Sequence, residues 1–175
     1  MDEKENFQND VYQYMAKYAQ TIYENEVSTS NALIQQSSQM QTAFSFMVAA
    51  VFMIAALVFQ YATALPMWFL VSCFSTITGA LLFSLLFAMI AQHHRKKEDY
   101  PDISDITAHI IANESLFATS AQRDKYIVDT YEVLQKSMKA VNLKRQKWIK
   151  CSMIFFYIAL GLCAFWFVVS FIKIA

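Results

Sequence analysis

Glycine and proline are scarce in this chain, with two of each in 175 residues. That leaves no glycine-rich loop to cradle a phosphate and too few turn formers for a small all-β fold. Charge is sparse as well, at 16% Asp, Glu, Lys and Arg against roughly 25% in an ordinary soluble domain. Between Glu26 and Arg95 there is no charged side chain of these four types at all. Cysteine occurs three times, as Cys73, Cys151 and Cys163, each inside an apolar run. That placement excludes a disulfide-stapled secreted fold and assigns all three to packing.

What fills the chain instead is apolar: 57% of residues, with a mean hydropathy of +0.31. Disorder is excluded over most of the length, and the composition is not that of a soluble domain. The formal net charge of zero hides segregation. Residues 1–41 hold two basic and six acidic residues, a net of −4. Residues 92–150 hold eleven basic and eight acidic, a net of +3, and Lys173 supplies the last positive charge. Neutrality predicts no direct nucleic-acid binding, and the two opposed segments are able to pair.

A helix needs about 20 apolar residues to cross a bilayer core. Three segments qualify: residues 44–62, 67–91 and 151–172. None reads as a secretory signal, because the first lies more than 40 residues in and follows an acidic, aromatic-rich stretch. The few residues between Tyr61 and Pro66 make the first two spans a tight hairpin. Arg95, Lys96 and Lys97 follow span two, and Lys144, Arg145, Lys147 and Lys150 precede span three. The positive-inside rule then puts residues 93–150 and the N-terminal 41 residues in the cytoplasm, with these cations as interfacial anchors. Tyr61, Trp68 and Trp148 stand near span ends, as interface aromatics or as packing residues. The expected architecture is all-α and multipass: a cytoplasmic helical region at 1–41, a membrane hairpin at 42–92, a cytoplasmic segment at 93–150 and a third span at 151–175.

The regions outside the spans carry helical periodicity. Phe7, Val11, Tyr14, Tyr18 and Ile22 make one apolar stripe, and Ser28 to Asn31 mark a loosening or recapping point. Ser104 is a cap candidate for a short helix bearing Ile106, Ile110 and Ile111. The strongest repeat is Ile127, Tyr131, Leu134, Met138, Val141, Arg145 and Trp148, a heptad-like seam running without a breaker into span three. A single helix over 121–172 would be roughly 75–80 Å long and stand out of the membrane as a stalk. The seam packs either on the N-terminal helix or between protomers.

Catalytic chemistry is hard to find. His93 and His94 point about 100° apart on a helix, with no cysteine nearby to complete a metal site. His109 stands alone. No Arg is followed four to six residues later by His, as a HEPN-type ribonuclease requires, and no Ser-His-Asp arrangement with a nucleophile turn is present. The expectation is a protein that is not an enzyme and has no cofactor. One feature remains: Ser72, Ser75, Thr76, Gly79 and Ala80 share a broad face of span two, and Phe83 and Phe87 return to it. Such a face either lets helices approach closely, with Ser75 and Gly79 as a small-xxx-small pair, or lines a narrow path in an oligomer with the phenyl rings as a constriction. No side chain charged at neutral pH lies inside a span except Lys173 at its end, which argues against a proton relay, a voltage sensor and a secondary transporter.

The stretch DKYIVDTYEVLQKSMKAVNLKRQKWIKCSMIFFYIALG, residues 124–161, resembles the last part of small multipass effectors of bacterial anti-phage nucleotide-signalling systems, the Pycsar transmembrane effector domain and SLATT-type effectors. Asp129, Tyr131, Lys144, Arg145 and Gly161 are the positions that match. The acidic, lysine-containing entry to span one of many relatives is replaced by Gln35, Gln36, Ser37, Ser38 and Gln39. The resemblance implies a homo-oligomeric effector in the bacterial inner membrane that forms a pore or depolarises the membrane when triggered. Its implied partners are membrane lipids and a cyclic nucleotide signal or a partner defence protein. A membrane-bound accessory of a CRISPR system and a structural membrane adaptor are the alternatives, and a phage holin fits the long cytoplasmic segments less well.

Overall fold

The computed structural model describes residues 3–61, 66–93, 108, 111, 112, 117 and 119–174. Three long helices hold nearly all of them: α1 (Glu3–Tyr61), α2 (Met67–His93) and α3 (Ser120–Ile174). No strand occurs among the described residues. All three helices are long and apolar enough to cross a membrane, and at 59, 27 and 55 residues the first and third are more than twice the length a bilayer core needs.

Local chemistry explains the ends of these helices. At the start of α2 the carbonyl of Pro66 accepts the first helical bonds, from the amides of Phe69 and Leu70 at 3.0 and 3.4 Å. At the start of α3, Thr119 and Gln122 form a reciprocal capping box. The Gln122 amide donates to Thr119 Oγ1 at 3.3 Å, and the Thr119 amide donates to Gln122 Oε1 at 3.2 Å. One sequence expectation fails: α1 runs through Ser28–Asn31 without a break. Ser, Thr and Asn weaken a helix when they bond to the backbone in competing geometries. Ser30 is instead buried against its neighbours, and packing overrides the weak propensity.

The chain divides into two compact units, one of Met1–Asn31 and Arg95–Asn142 and the other of Ala32–His94 and Leu143–Ala175. In the first, α1 and α3 meet through Tyr23 and Tyr131, whose rings lie 5.6 Å apart. Asn142 is buried there and its Nδ2 donates to both the backbone carbonyl and Oε2 of Glu26, each at 3.0 Å. Of the predicted seam, Tyr131, Leu134 and Met138 are half-buried and Val141 is buried, whereas Ile127 is exposed. The seam therefore packs within the chain toward its C-terminal end.

The second unit is a three-helix layer structure in which α1 and α3 run parallel and α2 runs against them. Met40, Phe44, Ala88, Ala91 and Ile149 form one layer. Ile77, Ala80, Leu81 and Ala159 form the next, and Phe69, Leu70 and Cys73 the last, capped by Trp166. Between the first two layers lies a knot of serines. Ser84 Oγ donates to the Ser152 carbonyl at 2.8 Å, and Ser152 Oγ donates to the Ser84 carbonyl at 2.7 Å. Ser37 Oγ of α1 donates to the Ala88 carbonyl at 2.5 Å. All three serines have zero exposure. A hydroxyl reaches another helix's carbonyl only where the two backbones lie close, which is the small-residue mode of membrane helix packing.

Replacing Ser152 with Leu should therefore cost about 1–3 kcal/mol by overpacking. Ser152→Ala should cost only ~0.6 kcal/mol for the lost hydrogen bonding. Unfolding of the detergent-solubilised protein, followed by tryptophan fluorescence, checks the ordering; equal losses would mean that the hydroxyl, not the close approach, is what matters.

Candidate functional site

Helix α2 has two faces rich in small or hydroxylated residues, and the fold uses only one of them. The buried face steps through Leu70, Cys73, Ile77, Ala80, Ser84, Ala88 and Ala91, the spacing of a helix lying between two others. The face singled out from sequence is the other one, except that Ala80, expected on it, is buried with the packed face because it sits at the boundary between the two. Ser72, Ser75, Thr76 and Phe83 are exposed and Gly79 is half-exposed. A methyl group placed on Gly79 meets nothing within 4 Å. Within one chain, then, Ser75 and Gly79 make no close helix approach; that role belongs to Ser84 and Ala88.

The Thr76 hydroxyl on this face is held locally. Thr76 Oγ1 donates toward the carbonyls of Ser72 and Cys73, at 2.9 and 3.0 Å, the usual way a helix satisfies a threonine in an apolar setting. It also accepts a bond from Trp166 Nε1 of α3 at 3.2 Å. Thr76 thus marks the edge where the open face meets α3. The two phenyl rings part company. Phe87 stacks on Trp148 at 5.5 Å and lies 5.3 Å from Phe155, which makes it an intramolecular packing residue and not half of a constriction. Trp148 is accordingly a packing aromatic too. Phe83, 5.6 Å from Phe155, keeps its outer side exposed.

The predicted basic anchors also divide. Lys144 and Lys147 are exposed, as is Lys150. Arg145 is 4% exposed and so is not an anchor lying among lipid headgroups; its seam position turns it inward. Arg95, Lys96 and Lys97 lie outside the described residues, as do His94, His109 and most of the short helix expected after Ser104, of which Ala108, Ile111 and Ala112 are described and helical, with Ile111 exposed. No group of three or more metal-ligating side chains exists among the described residues.

On α1 the stripe is exposed at Phe7, Val11, Tyr14 and Tyr18, with Tyr14 and Tyr18 stacked at 6.4 Å, and half-buried at Ile22. Beyond Tyr18, Tyr23 meets Tyr131 of α3. The feature that sequence reasoning missed is the buried serine knot. Its signal was the recurrence of small residues at Ser84, Ala88 and Ala91, set beside single serines in the otherwise apolar or glutamine-rich stretches around Ser37 and Ser152.

Set against known protein families, curated proteins and solved structures, the chain matches none.

The openness of the α2 face has a direct consequence for stability. Gly79→Ala should leave the unfolding midpoint unchanged or raise it, by up to about 1 kcal/mol of helix propensity, because the added methyl meets no neighbour. A lowered midpoint in detergent-solubilised monomer would show that the face is covered.

Proposed function

We propose that this chain is a membrane effector that works as a homo-oligomer, with α2 nearest the oligomer axis, and that its assembly opens or disrupts the membrane in which it sits. The observation that carries this reading is the uncovered face of Ser72, Ser75, Thr76 and Gly79 on a helix whose opposite face is fully committed to α1 and α3. A small, hydroxylated face suits close contact between copies or a narrow weakly selective path, and it carries no charge that would select an ion strongly. The resemblance of residues 124–161 to anti-phage effectors supplies the biological setting: the bacterial inner membrane, a cytoplasmic N-terminus, a cytoplasmic helical bundle and a trigger that arrests the growth of an infected cell. In this reading the trigger is a cyclic nucleotide or a partner defence protein.

A membrane adaptor is the second reading, and the exposed stripe of Phe7, Val11, Tyr14 and Tyr18 favours it. Rings at helical spacing on a surface outside the spans form a docking face for a partner helix. Thermal shift of the solubilised protein on titration with cyclic mono- and dinucleotides separates the two, since the adaptor reading expects none.

Ser75→Leu and Gly79→Leu test the effector reading directly. Both fit the monomer, so membrane insertion and the unfolding midpoint should stay as in the parent, while growth arrest and dye entry on overexpression fall by ten-fold or more, about 1.4 kcal/mol of assembly energy. Variants as active as the parent would remove α2 from the assembly surface.

A further inference from the structure

Charge in the second unit has one sign only. Residues 32–94 contain no Asp, Glu, Lys or Arg, and residues 143–175 contribute Lys144, Arg145, Lys147, Lys150 and Lys173. From Val133 onward the chain has no acidic residue at all. The exposed lysines of this surface have no acidic side chain beside them in the unit, which suits it to an anionic ligand.

A groove lies where those lysines meet the apolar span. Its volume is 480 Å³, and it runs between α1 and α3 within this unit, lined by Leu33, Gln36, Gln146, Ile149, Lys150, Met153 and Ile154. That volume falls within the ~300–1,000 Å³ of small-molecule sites. The lining changes along α3. The donors Gln146 and Lys150, with Gln36 of α1, lie toward its N-terminal part, where Leu33 and Ile149 also sit, and only the apolar Met153 and Ile154 follow. Lys147 is exposed three residues before Lys150, on the adjoining part of the same helix face. The gradient follows the sequence, because Lys150 is the last cation before the uncharged run from Cys151 to Ile172.

We propose that this groove seats one anionic phospholipid. Lys150 and Lys147 pair with its phosphate, Gln36 and Gln146 donate to the ester and phosphate oxygens, and one acyl chain lies along Ile149, Met153 and Ile154. Basic grooves between membrane helices at the headgroup level recognise anionic lipids by this combination of charge and apolar contact. The inference rests on the reading of α3 as a membrane span and adds a defined lipid site to it.

The test uses full-length protein in phosphatidylcholine nanodiscs doped with phosphatidylglycerol carrying a photoactivatable acyl chain, or with phosphatidylcholine carrying the same chain. Peptide mapping after illumination should place the phosphatidylglycerol label on residues 146–154, in several-fold excess over the phosphatidylcholine label. Lys150→Gln and Lys147→Gln should each lower that excess about five-fold, and Leu33→Trp should abolish labelling at Met153 while leaving every charge in place. Lys139→Gln, outside the groove, should change neither. Equal labelling by the two lipids, indifference to Lys150→Gln or Leu33→Trp, or an equal effect of Lys139→Gln would overturn the site. Release of the protein from native membranes by alkaline carbonate would overturn the membrane reading itself, and the site with it; retention with equal labelling would overturn the site alone.

Discussion

The reciprocal bonds between Ser84 and Ser152 are the constraint on which the rest of the three-helix unit depends. Each hydroxyl reaches the other helix's backbone carbonyl, at 2.8 and 2.7 Å, and both serines are wholly buried. Apolar side chains alone do not fix the rotation of one apolar helix against another, because every face offers similar hydrocarbon. Two donors that must each find a specific carbonyl do fix it, since an unsatisfied hydroxyl in an apolar interior is costly. Ser37, bonded to the carbonyl of Ala88 one turn along α2, sets α1 on the same reference. Gln41 and Gln92 extend it with an amide pair at 2.7 Å.

Once that rotation is set, the fate of the remaining surfaces follows. With Ser84 and Ala88 inside, Cys73, Ile77 and Ala80 fall inside as well, and Ser75, Gly79 and Phe83 fall outside. The aromatic residues of α3 are sorted by the same turn: Phe156 stacks on Phe44 at 4.8 Å, and Trp166 meets Phe69 edge-on at 5.2 Å. The open face of α2, the proposed surface of assembly, is thus what remains when the knot has taken its share of the helix.

Much of the helical layout was legible in the sequence, because length and apolarity decide it. The second span was expected over 67–91 and the helix covers Met67–His93; the third was expected to continue an unbroken helix from about 121, and α3 starts at Ser120. The Thr119–Gln122 cap is also written there, as a T-x-x-Q pattern. Two matters were not legible. Ser28–Asn31 looked like a helix end by propensity, and only burial of Ser30 reveals that packing holds the helix through it. The packed face of α2 was hidden because that helix is apolar all round, so periodicity carries no signal. Small residues occur on both sides, and the decision between them lies in serines of α1 and α3 distant in the chain.

The lone sign of charge at the start of the third span has a bearing on energised membranes. Lys144, Arg145, Lys147 and Lys150 are four cations within seven residues, with no anion among them. Carrying such a run through a membrane voltage changes its energy by about 2.3 kcal/mol per charge for each 100 mV crossed. In the proposed topology, with this end of α3 on the cytoplasmic side, the electrical potential of a living cell would hold these cations in place, and that hold would weaken in step with any discharge of the membrane.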